Sequence, residues 1–261
     1  MERESERDGI IREITKKKEF SQLPKRDIDF AFARFEKRQV GNEEKVRLTR
    51  ELLHKIFSSF TSQKLLSPKN KDAEWILKKH LSTRERFPYY KEVYSRILKN
   101  FGKKATIIDL GAGVNGFGYN YLKGLSKKID YFAIEGVGQL VDLTNAYFTK
   151  EKITAKVVHM SLFNLDEIKE IISETEKPKI VFLFKTVDSL EMLKRDYSLE
   201  LIKSIMPFVD LIVVSFAVES MIKRKRFKVN RKWITDFIEK NFSVKEDFEI
   251  GGERYMCFAS K

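Results

Sequence analysis

The chain has 261 residues, a formal net charge of +13, and 34% charged residues beside 42% hydrophobic ones. That is enough apolar material for a large domain with an appendage, and the basic surplus speaks of a polyanionic partner, nucleic acid or an anionic membrane, rather than of fold. A single cysteine, Cys257, excludes a disulfide framework or a cysteine metal site within one chain. His54, His80 and His159 lie far apart and fit no metal-binding spacing, so no metal is expected. The N-terminus "MERESERDGIIREITKKK" lacks the apolar segment of a secretory signal, and no run of about 18 apolar residues occurs. A soluble, cytoplasmic, monomeric protein without a membrane span is expected.

Residues 1–100 carry helical patterning and almost no strand signal. "DIDFAFARFEKRQV", "EEKVRLTRELLHKIFSSFT" and "AEWILKKHL" place apolar residues at helical spacing, with breaks at "SQLP" and "LLSPKNKD". The segment holds 25 Lys and Arg against 16 Asp and Glu, nine of the thirteen surplus charges. It reads as a helical, basic, RNA-binding domain. Over 101–261 short apolar runs take over: "ATIIDLGAG", "IDYFAIEG", "AKVVHMSLF", "KIVFLFKTV" and "DLIVVSFAV". Amphipathic segments separate them, which is the pattern of a parallel sheet covered on both faces. The helix "RKWITDFIEKNF" and a strand pair around Gly251-Gly252 close the chain. The fold class is α/β, a doubly wound domain behind a helical N-terminal extension.

In such a sheet, ligands sit beyond the carboxyl ends of the strands at the switch point. "DLGAGVNGFG" lies where the first strand gives way to its helix, and Gly111, Gly113 and Gly116 satisfy a dinucleotide spacing. A tight turn without a ligand would show the same glycines. Asp109, just before the turn, would repel a pyrophosphate yet suits a cofactor that carries an ammonium group. No Gly-Lys-Ser/Thr follows, so a nucleotide-phosphate loop is not indicated. Glu135 ends the second strand, where a carboxylate can accept both ribose hydroxyls of an adenosine. An acid, the Gly-x-Gly turn and a strand-end acid fit S-adenosylmethionine better than NAD.

The chain resembles the aminoglycoside-resistance methyltransferases that modify a guanine N7 of small-subunit ribosomal RNA. The resemblance is carried, in order, by "LLHKIFSSFT", "HLSTRERFPYYKEVYSRIL", "IIDLGAGVNGF", "VFLFKTVDSLE", "VVSFAVESM" and "IGGERYMCFAS", across roughly residues 45–260. Departures are Ala112 for the family's Cys, Gly116 for its Pro, Glu135 for its usual Asp and Ala217 for a second Pro. The resemblance implies a Rossmann-like class I S-adenosylmethionine-dependent methyltransferase with a helical N-terminal domain. Its partner would be the small ribosomal subunit. Methylation of another RNA such as tRNA, or of a small molecule, are the alternatives; a basic helical domain serves the latter poorly.

The resemblance also assigns Arg86 to the methionine carboxylate; a plain salt bridge with Glu85 is the other reading of "STRERF". Asp109, Gly111 and Gly113 would face the cofactor's amino end and Glu135 its ribose. "MSLFNLD" would pass the adenine, with Ser161 and Leu162 offering backbone and Phe163 an apolar face. Asn164 and Asp166 compete for the polar contact there. Lys185 closes an apolar strand, so its ammonium is expected at the rim, as the catalytic or RNA-touching cation or merely snorkelling to solvent. Methyl transfer to guanine N7 needs no general base, because that nitrogen carries a lone pair and no proton. Residues 221–233, "MIKRKRFKVNRKW", hold seven Lys and Arg and no acid. Lys223, Arg224, Lys225, Arg226 and Arg231 are the candidate phosphate contacts, with Phe227 and Trp233 interleaved for stacking.

Overall fold

The computed structural model describes residues 2–58, 65, 71–125, 128–218 and 231–261. The parallel strands are β1 (Lys104–Leu110), β2 (Lys128–Glu135), β3 (Ala155–His159), β4 (Lys179–Phe184) and β5 (Leu211–Ala217). The hairpin of β6 (Ser243–Ile250) and β7 (Glu253–Ala259) completes a seven-stranded sheet in the order β3-β2-β1-β4-β5-β7-β6, with β7 antiparallel to β5. The sequence explains the order of burial. "KIVFLF" and "LIVVSFA" are buried at every position because helices cover both faces of the middle of the sheet. Edge strand β3 buries only Val157 fully. Each fully buried Val, Leu or Ile side chain contributes roughly 1.5–3 kcal/mol.

Chain order reverses between β1 and β4, where Asp109 stands opposite Phe182. The crevice at the carboxyl ends of these two strands is the switch point expected to hold a ligand. Around the sheet lie α7 (Tyr119–Lys123), α8 (Gly138–Lys150), α9 (Leu165–Glu174), α10 (Val187–Leu193), α11 (Tyr197–Ile205) and α12 (Lys232–Asn241). Lys179 caps the end of α9, donating through Nζ to the carbonyls of Ile172 and Ser173 at 2.5 and 3.1 Å.

The N-terminal segment supplies α1 (Glu2–Thr15), α2 (Lys25–Glu36), α3 (Asn42–Leu53), α4 (Ala73–Lys79), α5 (Leu81–Arg86) and α6 (Tyr90–Leu98), and α3 runs into a π-helical turn at His54–Ser58. The last three of these helices lie within 1–100 yet pack directly on the α/β layer. Tyr94 of α6 stacks on Phe182 of β4 at 5.9 Å, and Tyr90 stacks on Tyr121 of α7 at 5.1 Å. Helix α2 buries Ile28, Ala31 and Phe32 and sets Phe30 4.5 Å from Phe163 after β3. Arg34 donates to the Met192 carbonyl at 3.1 Å, and Gly138 N–H to the Gln22 carbonyl at 3.2 Å. The helical layer therefore covers the carboxyl ends of the strands.

Candidate active site

A cavity opens at the switch point, lined from the glycine turn, the ends of β2 and β4, α2, α5 and α10. The turn after β1 can form only because Gly111 and Gly113 take φ of +76° and +55°. A Cβ at Gly111 would lie 2.8 Å from Thr186 Cγ2, and one at Gly113 would lie 3.1 Å from the His80 ring. Glu135 fixes the turn from the next strand: Gly113 N–H donates to its Oε2 at 2.7 Å, and Val137 N–H to its Oε1 at 2.8 Å. Each carboxylate oxygen keeps acceptor capacity beyond that single bond. Burial raises the pKa of Glu135, and the backbone donors pull it back.

From the turn a continuous chain of polar groups runs into the interior. Tyr131 O–H and Asn115 Nδ2 both donate to Asp109 Oδ2, at 2.7 and 2.6 Å. Asn115 Oδ1 accepts from Tyr90 O–H at 2.8 Å and from Arg86 Nη1 at 3.2 Å. Arg86 then meets Glu253 Oε1 through Nη2 at 2.6 Å and the Tyr255 hydroxyl through Nε at 3.1 Å, and its guanidinium lies 4.4 Å from the Phe184 ring centre. Glu253 also accepts from Ser215 Oγ at 2.5 Å. Burial would raise the Glu253 carboxyl, but the Arg86 and Lys185 cations hold it below the ordinary range. Burial and the same two cations push His80 down to about 3, so this ring is neutral at physiological pH.

The wall beyond Glu135 is apolar, with Val137, Leu140, Leu162 and Phe163 facing the cavity. Phe163 sits between Phe30 and Tyr197, at 4.5 and 4.4 Å. The Leu162 carbonyl is occupied by Tyr197 O–H at 2.6 Å. Ser161 stands behind the wall rather than in it: its Oγ accepts from Phe163 N–H at 3.1 Å and donates to Asp27 Oδ1 at 2.9 Å. Asp27, an ordinary helix acid to the eye, comes from α2 into the cavity lining.

Arg86, Asp109, Gly111, Gly113, Glu135, Leu162, Phe163 and Lys185 thus converge on one cavity, with Ser161 one layer out. Three expectations change in kind. Arg86 forms neither a pair with Glu85 nor an uncommitted fork; its partner is Glu253, 167 residues away. Lys185 does not emerge at the rim. Its residue takes φ +57°, its N–H bonds Ser215, and its Nζ is held 2.5 Å from Glu85 and 3.4 Å from Glu253 with the side chain 5% exposed. Arg231 is turned inward as well: it donates to Asp188 Oδ2 at 2.7 Å and to the Ala217 carbonyl at 2.7 Å, tying the end of β5 to α10. Neither Asn164 nor Asp166 lines the cavity; Asn164 accepts from Arg26 and Asp166 pairs with Lys169. Lys223, Arg224, Lys225, Arg226 and Phe227 lie outside the described residues, while Trp233 is 38% exposed on α12. Sequence reasoning missed Asp27, Glu85, Asn115, Glu253 and Tyr255 as members of this network. Asn115 in the glycine-turn motif, Glu85 in "STRERF" and Glu253 and Tyr255 in "IGGERYMCFAS" lay inside the quoted blocks without an assigned place in the site, and Asp27 carried no signal. Among the described residues, no group of three or more His, Cys, Asp or Glu is placed to hold a metal ion, and no helix is long and apolar enough to cross a membrane.

The model of the Ribosomal RNA methyltransferase (FmrO) family matches residues 69–240, which includes the glycine turn, Glu135 and Lys185. The chain belongs to this family. A 16S rRNA (guanine(1405)-N(7))-methyltransferase of Micromonospora rosea is 29% identical over 149 residues, covering 56% of this chain and 50% of that protein. The protein of the same description from Micromonospora echinospora is 28% identical over the same shares. The chain spans about half the length of the curated relatives it matches. Among solved structures, the 16S rRNA methyltransferase RmtF in complex with S-adenosyl-L-homocysteine superposes with a TM-score of 0.79 at 18% identity, covering 97% of this chain and 98% of that one. An rRNA methylase from Escherichia coli gives 0.74 at 15%, over 97% and 99%. The fold is therefore the Rossmann-like methyltransferase fold with a helical N-terminal region. Four of the blocks quoted from the sequence, "LLHKIFSSFT", "HLSTRERFPYYKEVYSRIL", "IIDLGAGVNGF" and "VFLFKTVDSLE", contribute residues to the cavity lining, Ile56, Arg86, Asp109 and Lys185 among them.

Proposed function

We propose that the chain is an S-adenosylmethionine-dependent methyltransferase that acts on a guanine N7 of small-subunit ribosomal RNA. The observation that carries the reading is the cavity at the β1/β4 switch point, with a Cβ-free turn at Gly111 and Gly113 flanked by Asp109 and Glu135. The lining suits the cofactor in its carboxylates for the ammonium and ribose hydroxyls and its apolar wall for a planar base, while the Arg86 fork is taken up by Glu253, Asn115 and Tyr255. When bound, the cofactor supplies an electrophilic methyl group on a sulfonium. Glu135 would hold the ribose, Asp109 with Gly111 and Gly113 the amino end, and Leu162 with Phe163 the adenine face.

The acceptor chemistry asks for positioning rather than proton removal, since guanine N7 offers a free lone pair. The cavity is consistent with that demand. His80 is neutral, and the Lys185 ammonium is committed to Glu85 and Glu253. Acceleration would come from holding methyl and nitrogen in line. Lys185, placed beside the cavity by a left-handed backbone, acts as a positioning cation that orders the Glu85–Glu253 edge of the site. The positive surplus of residues 1–100 supplies the phosphate-facing surface.

The test is methyl transfer to purified small ribosomal subunits with labelled cofactor, followed by mass mapping. One 7-methylguanine in small-subunit rRNA is the expected result. Label found only in tRNA, or on an exocyclic amine, would overturn the acceptor assignment; no cofactor binding by folded protein would overturn the whole reading.

A further inference from the structure

We infer that Asp27 of helix α2 is a cofactor-binding residue that accepts a hydrogen bond from the adenine amino group, so that the N-terminal helical layer takes part in selecting the ligand. The inference rests on the S-adenosylmethionine reading above. Among the described residues, three carboxyl groups line the cavity: Asp27, Asp109 and Glu135. The cofactor carries three sets of hydrogen-bond donors: an ammonium, a ribose diol and the adenine amine. Asp109 stands at the glycine turn and Glu135 at the end of β2, where the first two belong. The donor left over is the amine, and the carboxyl left over is Asp27.

Its surroundings fit that role. Asp27 is 4% exposed and faces the cavity beside the apolar wall that would flank a planar ring. Ser161 Oγ accepts from Phe163 N–H and donates to Asp27 Oδ1 from behind the wall, outside the cavity lining, so it orients the carboxyl that does face the cavity. The second oxygen, Oδ2, lies on the cavity's Gly136 side, 3.8 Å from where a Cβ on that glycine would stand. The charged and titratable groups facing the carboxyl are Glu135 across the cavity, Arg26 on its own helix and Tyr197 behind it. Burial first, with repulsion from Glu135, pushes Asp27 up to about 7. A buried acid held this way gains most from a ligand N–H that donates to its carboxylate.

The experiment is calorimetry on the full chain with S-adenosylhomocysteine and with its 6-deamino analogue, which lacks only the amine, at pH 6 and pH 8. Wild-type protein is expected to prefer the adenosyl ligand by about tenfold or more at pH 8, as a hydrogen bond to a charged group requires, and less at pH 6 where Asp27 takes up its proton. Asp27→Ala should reduce the preference to within about twofold while leaving affinity for the deamino analogue near wild type. Asp27→Asn, which keeps the shape if the alanine variant fails to fold, should make the preference independent of pH. An undiminished preference in Asp27→Ala, equal weakening of both ligands, or a pH-dependent preference in Asp27→Asn would overturn the inference while the cofactor reading stands. Wild-type protein that binds neither ligand would overturn the cofactor reading, and this inference with it.

Discussion

Arg86 Nη2 and Glu253 Oε1 meet at 2.6 Å, with side chains 1% and 2% exposed. The pair joins α5, which precedes the sheet, to the first residue of its last strand. Removing Arg86 leaves the buried Glu253 carboxylate with only the Lys185 ammonium at 3.4 Å, a cation already shared with Glu85, so Arg86→Ala is expected to lower stability by about 3 kcal/mol, the lower end for a broken buried pair. A lower urea midpoint with an unchanged slope is the readout. The paired replacement Arg86→Met with Glu253→Leu should recover much of that loss, and a double variant no better than Arg86→Ala would refute the account. The pH dependence has a definite sign. The Glu253 carboxyl is depressed in the folded state, so its contribution is complete above the unfolded value and disappears as pH falls through the folded one. Acid unfolding of Glu253→Gln should accordingly be less steep.

Asp27 works in the opposite direction. Its folded value of about 7 lies above the ordinary aspartate value, so the folded state holds a proton that the unfolded chain releases. Stability without ligand should therefore fall as pH rises from about 4 to about 7. Asp27→Asn should relieve this, raising stability at pH 8 by on the order of 3 kcal/mol and little at pH 4. Thermal unfolding at the two values separates the cases; an equal shift at both would remove the titration of Asp27 as the cause.

The glycine turn gives a sharp contrast between substitutions. Gly111→Ala must hold φ +76° and place its Cβ 2.8 Å from Thr186, so a loss of about 2–4 kcal/mol with loss of S-adenosylhomocysteine binding is expected. Gly9→Ala in α1 meets nothing within 4 Å and should stabilise by up to about 1 kcal/mol. Denaturation and calorimetry on both variants check this; a neutral Gly111→Ala would show that the turn can relax.

The basic run and Arg231 should separate as well. Changing Lys223, Arg224, Lys225 and Arg226 to Gln is expected to flatten the dependence of log subunit affinity on log salt. The slope should fall by roughly 0.7–0.9 for each RNA phosphate that no longer has a cationic partner. Affinity for S-adenosylhomocysteine should not move. Arg231→Gln, which gives up Asp188 and the Ala217 carbonyl, should instead lower the melting temperature with little change in salt slope. A salt slope altered by Arg231→Gln alone would return that residue to the RNA-facing surface.

The β/α alternation, the glycine turn, Asp109 and Glu135 were legible because each is written locally. Apolar runs of strand length and a turn that demands positive φ are read from consecutive residues, and a strand-end acid marks the same rim even though Glu135 bonds Gly113 from 22 positions away. Arg86 was legible as a site residue but not in its partner, since nothing in "STRERF" points to an acid 167 positions later. Asp27 was hidden for a related reason: on α2 it sits among charged neighbours, and only the docking of that helix turns it inward. Lys185 was placed at the correct strand end, but its direction follows from a left-handed backbone that no lysine advertises. Long-range side-chain pairing, rather than periodicity, decided each of these.

The sheet order has a consequence for how the chain is built during synthesis. Strand β7 lies between β5 and β6, although β6 leaves the ribosome first. The earlier strand has no neighbour in the sheet until the later one arrives, so the two must enter together as a preformed hairpin turned at Gly251 and Gly252. Until then Arg86 lacks Glu253 and Tyr255, and the inner end of the cavity stands open to water. A nascent chain with β1 through β5 in place already has the glycine turn and Glu135, yet the guanidinium behind them is still hydrated and unanchored. Completion of the candidate pocket therefore waits on the β6–β7 hairpin.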